Sequence, residues 1–199
     1  LKHVYRLILN SNTYQLSSIP RTDHPDAEAH FAYYPIRLLD AEVLIDALCQ
    51  ITGTAEEYSS LIPEPFTFVP KSQRSIALAD GSITSSFLEM FGRPPRDTGL
   101  ASERNNKPTA AQRLHLLNSS HIQKKIEKTQ RGRWLIQSAR RNPRQAVTGL
   151  YLTILSRFPT EEELQTLRDY SQSGEVNGQK VLVDFTWALV NSAEFLYRH

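Results

Sequence analysis

Residues 35–53 read PIRLLDAEVLIDALCQITG. Ala41, Leu44, Leu48 and Ile51 recur at helical spacing and line one side, while Val43, Ile45 and Ala47 widen the apolar surface. Pro35 suits a first turn and Gly53 suits the left-handed residue that ends a helix, so the stretch predicts one well-buried helix from near Pro35 to Gly53. A helix this apolar needs other elements to cover it, and the flanks supply more helices than strands.

Upstream, residues 3–10 (HVYRLILN) predict a helix with Val4, Leu7 and Ile8 as its stripe, and residues 17–34, rich in Ser, Pro, Asp and His, read as an irregular connection. Downstream, residues 82–91 predict a short helix ended by Gly92, and Pro108 to about Gln130 a long one with Ala111, Leu114, Leu117, Ile122 and Ile126 apolar. Asn142-Pro143 is a cap followed by a first-turn proline, opening a helix to Ser156. Thr160-Glu161-Glu162-Glu163 is a capping box, opening a helix that stops near Gly174, and residues 179–197 complete the set. Two long loops, 54–80 and 92–107, interrupt the pattern, and PFTFVP (65–70) allows a short extended piece at a sheet edge. The expectation is an all-α fold over 1–199, one irregular bundle of about six or seven helices.

The chain has 199 residues, 40% hydrophobic and 22% charged, enough to bury a core without disulfide or metal. Its single cysteine, Cys49, lies in an apolar helical stretch and reads as an inert thiol. No stretch approaches the ~18 apolar residues of a membrane span. The chain opens on Leu1, already in a helical pattern, and is read as a fragment whose targeting signal would lie upstream.

No nucleophile elbow, phosphate loop, dinucleotide fingerprint, HExxH or CxxCH motif occurs, so no catalytic residue and no metal or haem site is assigned to the fragment. His115 and His121 are six apart, so on a helix they fall on different faces. Glu42 and Asp46 share a helix face, and like charges at that spacing repel unless a cation joins them. Arg37 and Asp40 fall at i, i+3 on the same predicted helix, and Arg93, Arg96 or Arg104 supply further cations. The reading preferred is an internal salt-bridge lattice, against a carboxylate pair for acid–base work or a cation site.

Charge is asymmetric. From Arg93 to Arg144 there are thirteen Lys and Arg against Asp97, Glu103 and Glu127, a balance of +10 that leaves −8 elsewhere to reach the net +2. Arg93, Arg96, Lys124, Lys125, Lys128, Arg131, Arg133, Arg140, Arg141 and Arg144 are candidates to hold a polyanion, a sulfated glycan rather than nucleic acid, because only Trp134 interleaves an aromatic. Docking of this segment on the acidic remainder is the competing reading, and the preferred one.

Five stretches in order, YRLILNSNTYQLSS, RLLDAEVLIDALCQITG, RNNKPTAAQRLHLLNSSHI, LYLTILSRFPTEEEL and WALVNSAEFLYRH, resemble the domain of unknown function 1553 family. That is a planctomycete-type C-terminal domain of large exported, cytochrome-associated proteins. The resemblance implies a periplasmic or cell-surface parent, an upstream domain as partner, and c-type haem, if any, elsewhere in that parent. It implies no reaction. The family's recurrent polar positions fall on Arg37, Asp40, Glu42, Asp46, Arg104, Gln112, Asn118 and Glu194. Where many members have FDxP, this chain has FGRPPRD (91–97), which argues against an acidic role there. The reading that follows is a non-catalytic interaction or assembly module. The alternatives are anionic-polysaccharide binding through 93–144, and an enzyme whose active site is shared with the upstream domain.

Overall fold

The computed structural model describes residues 1–62, 67–78, 81–94, 103–105, 107–127, 142–173 and 178–198. Helices dominate the described residues, with two short two-stranded antiparallel ladders. The chain groups into two compact units, Leu1–Leu38 with Tyr197–His199, and Leu39–Leu196.

The first unit holds α1 (Lys2–Leu9), the irregular stretch after it, and the ladder of β1 (Arg37–Leu38) with β4 (Tyr197–Arg198), in which Arg37 faces Arg198. None of the eight residues of α1 is buried.

The second unit opens with α2 (Ala41–Thr52). The predicted start near Pro35 is corrected: Asp40 is extended (φ −61°, ψ 146°) and is the cap, so Pro35, Arg37 and Leu38 lie outside the helix. The predicted end holds, because Gly53 adopts φ 70° and its N–H returns to the Cys49 carbonyl. In the following loop the paired backbone is β2 (Ser59–Ser60) with β3 (Ile83–Thr84), not the 65–70 stretch, where residues 67–70 form no strand and Pro65 and Phe66 lie outside the described residues. A 3-10 turn spans Ser75–Ala77. Then α3 (Ser86–Met90) starts on Ser85, whose hydroxyl accepts from the Leu88 N–H.

Gly92 follows at φ 89°, a conformation that favours glycine. A Cβ there would collide with the Asn105 backbone, and the Asn105 N–H donates to the Gly92 carbonyl at 3.2 Å. This clasp brings 103–105 back beside the end of α3.

The long helix expected from Pro108 is two helices, α4 (Ala110–Asn118) and α5 (Ser120–Glu127). Ser119 breaks it: its ψ is 130°, and its hydroxyl accepts from the N–H groups of His121 (3.1 Å) and Ile122 (3.4 Å), capping a new helix. Residues 128–130 of the expected helix lie outside the described residues. The cap residues of α6 (Pro143–Ile154) and α7 (Glu161–Gln172) act as read: the Asn142 side chain accepts from the Gln145 N–H, and Thr160 and Glu163 close a reciprocal box. The last expected helix also divides, into α8 (Gly178–Val190) and α9 (Ala193–Leu196), because the Ser192 hydroxyl accepts from the Phe195 N–H and starts a new turn.

In this unit α2 packs on α3 and α5, α5 packs on α8, and α8 gathers α6 and α7. Leu44, Ile45, Leu48, Phe87, Leu88, Phe91, Ile122 and Val190 are the innermost side chains of the core. Each contributes roughly 1.5–3 kcal/mol by leaving water.

Candidate functional site

Among the described residues, one gathering of titratable side chains lies where α5 meets the segment after α2. Lys125 is 6% exposed. Its ammonium donates to Glu56 Oε2 and the Ala55 carbonyl, both at 2.9 Å, and lies 3.4 Å from Thr54 Oγ1 and from Cys49 Sγ. His121 Nε2 sits 3.0 Å from the same Glu56 oxygen. Burial works to raise the Glu56 carboxyl, but hydrogen bonds from His121 and Lys125 and the charge of Lys125 outweigh it and hold the group below the usual carboxylate range. Burial pushes the Cys49 thiol up, against the pull of Lys125, so it remains a protonated, poorly nucleophilic thiol.

His115 completes the cluster. The break at Ser119 turns α5, so the two histidines come together with ring centroids 5.9 Å apart, contrary to the different faces expected of a continuous helix. His115 also lies edge-on to Phe87 at 5.8 Å, and Phe87 stacks on Phe91 at 4.2 Å. Burial lowers the His115 pKa, and His121 adds to the effect.

An imidazole on a carboxylate is the arrangement of a proton relay. Here the carboxylate is already neutralised by a buried ammonium with acceptors on several sides, which is the arrangement of an internal clamp joining α5 to the end of α2. Among the described residues no group of three or more His, Cys, Asp or Glu is disposed to hold a metal ion.

The carboxylates of α2 form a second set. Glu42, 4% exposed, receives both guanidinium nitrogens of Arg104 at 2.7 Å, with Arg93 Nε at 3.4 Å. Burial tends to raise its pKa, but the Arg104 bonds and the charges of both arginines hold it below its ordinary value. Arg93 is in turn fixed by donating to the Ile83 carbonyl. Asp46, also buried, goes elsewhere: it accepts from the backbone N–H groups of Ser75 (2.7 Å) and Ile76 (3.1 Å), with Arg74 Nε at 3.4 Å. The shared face of Glu42 and Asp46 is therefore real, but each carboxylate has its own partners.

The other family positions scatter. Arg37 is in β1 of the first unit, so Arg37 and Asp40 do not share a helix as expected. Asp40 stands at the N-cap position of α2 without a side-chain cap bond, and its charge helps to raise the Arg104 pKa. Gln112 closes the α4 capping box and donates to the Met90 carbonyl at 3.0 Å, tying α4 to α3. Asn118 is the exposed last residue of α4. Glu194 joins Glu163 around Arg157, which reaches both carboxylates at 2.7 Å and lies over the Tyr151 ring. The Arg157 bonds hold Glu163 down at about 2, and burial with the neighbouring carboxylates pushes Tyr151 up to about 12.

Of the basic candidates among the described residues, Lys125 is buried and paired, Arg93 is half-buried and paired, Arg144 is exposed beside Glu161 at 3.2 Å, and Lys124 is exposed. Arg96, Lys128, Arg131, Arg133, Arg140 and Arg141 lie outside the described residues. Sequence reasoning missed Glu56, which sits in a loop without periodicity, and Arg157, whose partners are remote or were read only as a cap.

Among the described residues no helix is long and apolar enough to cross a membrane. No curated protein and no solved structure matches the chain. A family model described as "PSD1: Protein of unknown function (DUF1553)" matches residues 1–171, ending ahead of the last of the five stretches quoted above.

Proposed function

Taking as premise that the chain belongs to the DUF1553 family of proteins of unknown function, we propose that it is a non-catalytic interaction module of a larger exported bacterial protein, docking through α1 on the domain upstream of it. The observation that carries this reading is the state of α1. Val4, Tyr5, Leu7, Ile8 and Leu9 are each about half exposed or more, on a helix that buries nothing. Lys2, His3 and Arg6 occupy the remaining arc of the helical wheel. An isolated helix shorter than ~12–15 residues is marginal in water, so α1 needs packing from a partner to persist. The parent is placed in the periplasm or at the cell surface in this reading. Polyanion binding is the weaker alternative, because Lys125 and Arg93 are engaged with buried carboxylates.

Hydrogen exchange tests the proposal. In the parent protein, amides of residues 2–9 are expected to exchange slowly, and in the 1–199 chain at near-unprotected rates. The double change Val4→Asp, Ile8→Asp should restore fast exchange in the parent. Equal exchange in parent and fragment would remove the docking role of α1.

A further inference from the structure

The cluster around α5 contains one polar atom with no partner. His115 Nε2 is buried and makes no hydrogen bond, although buried polar groups are almost always satisfied. Its ring is walled by Phe87 and Phe91 of α3, at 5.8 and 6.2 Å, and by His121 of α5 at 5.9 Å. We propose that His115 is a proton-operated latch: neutral, it packs α4 on the Phe87–Phe91 pair of α3; protonated, it drives the two apart. This rests on the second unit alone and is independent of α1.

The charged and titratable groups around the latch decide its sign. From α5 come His121 and Lys125; from the segment after α2 comes Glu56; from α2 comes Cys49, beside Lys125; α3 presents two phenyl rings. The one anion among these is Glu56, and its Oε2 already serves both His121 and Lys125. A proton on His115 therefore finds phenyl rings, a second imidazole and, as the one carboxylate of the cluster, a Glu56 whose Oε2 is already shared by two donors, while Nε2 itself has no hydrogen-bond partner. Placing a cation there without a partner is unfavourable. Burial first, then the charge of His121, depresses the His115 pKa, with Glu56 opposing, in the direction the geometry requires. The unfolded chain thus binds this proton more readily than the folded one. Stability supplied by neutral His115 is complete above the ordinary histidine value of about 6.5 and is lost as pH falls from there toward the lower folded value. The consequence is a domain that loosens between α3 and α4 in mildly acidic surroundings and exposes Phe87 and Phe91.

The test is thermal unfolding of the 1–199 chain at pH 7.5 and pH 5.5, beside His115→Phe and His115→Gln. The expected result is a fall in Tm of several degrees on acidification in the parent chain, at least halved in His115→Phe and retained in His121→Gln. If His115→Phe does not fold, His115→Gln or NMR titration of the His115 ring in the unaltered chain decides. A ring titrating clearly below an unfolded histidine supports the latch. A ring titrating at or above that value, or an acid-induced fall undiminished in the foldable His115 variant, overturns it.

Discussion

Two amphipathic helices of this chain have opposite fates. α1 carries five large apolar side chains and buries none of its residues, whereas α2 carries two carboxylates on its inner face and buries both. α2 is the more apolar of the two, and it also finds partners for its charges within its own unit. The 3-10 turn at Ser75 and the segment 103–105 come to α2 with backbone N–H groups and a guanidinium, and among the described residues α1 buries no side chain. A buried charge is tolerated when its partner is built in, and an apolar face without a partner stays open.

The comparison can be broken most severely at Lys125. Lys125→Glu would bury a second carboxylate beside Glu56 and remove its neutralising charge, and is expected to destabilise by about 4 kcal/mol or more. Lys124→Glu, on the exposed side of the same helix, should stay within about 0.5 kcal/mol. Chemical denaturation of the pair measures both, and equal effects would mean that α5 does not present Lys125 inward. Arg104→Ala is expected to cost about 2–3 kcal/mol, less than a fully orphaned charge because Arg93 remains beside Glu42. A double change, Arg104→Ala with Glu42→Gln, should recover part of that loss; no recovery would dissolve the pairing. The smallest effect belongs to α1. Val4→Ser with Ile8→Ser in the isolated chain should alter stability by less than about 0.5 kcal/mol, since α1 buries no residue and is expected to be open there. A larger loss would show that α1 has a partner inside the chain and erase the contrast with α2.

Much of this was readable where the signal is local. Gly53, Asn142-Pro143 and Thr160 with Glu163 each mark a helix end through bonds made within a few residues, and they act as read. The start of α2 was misplaced because Pro35 also suits a first turn, and the strand pairing that claims Arg37–Leu38 comes from residues 197–198, far along the chain. The break at Ser119 was hidden by apolar residues that continue at helical spacing; Leu114 and Leu117, part of that pattern, are exposed. Of the sites, the pairing of Glu42 with Arg104 was within reach, since a charge on an apolar helix demands a counter-charge. Glu56 was not, because nothing near it in sequence hints at a lysine and a histidine some seventy residues on.

The clasp of Gly92 on Asn105 has a consequence for how this chain tolerates change. Its two ends are pinned by a backbone hydrogen bond and by a contact that leaves no room for a side chain. Arg93 and Arg104, the two cations beside Glu42, each stand next to a clasped residue, so the contact that fixes the backbone also fixes both guanidiniums. A side chain at position 92 would therefore loosen a carboxylate that it never touches.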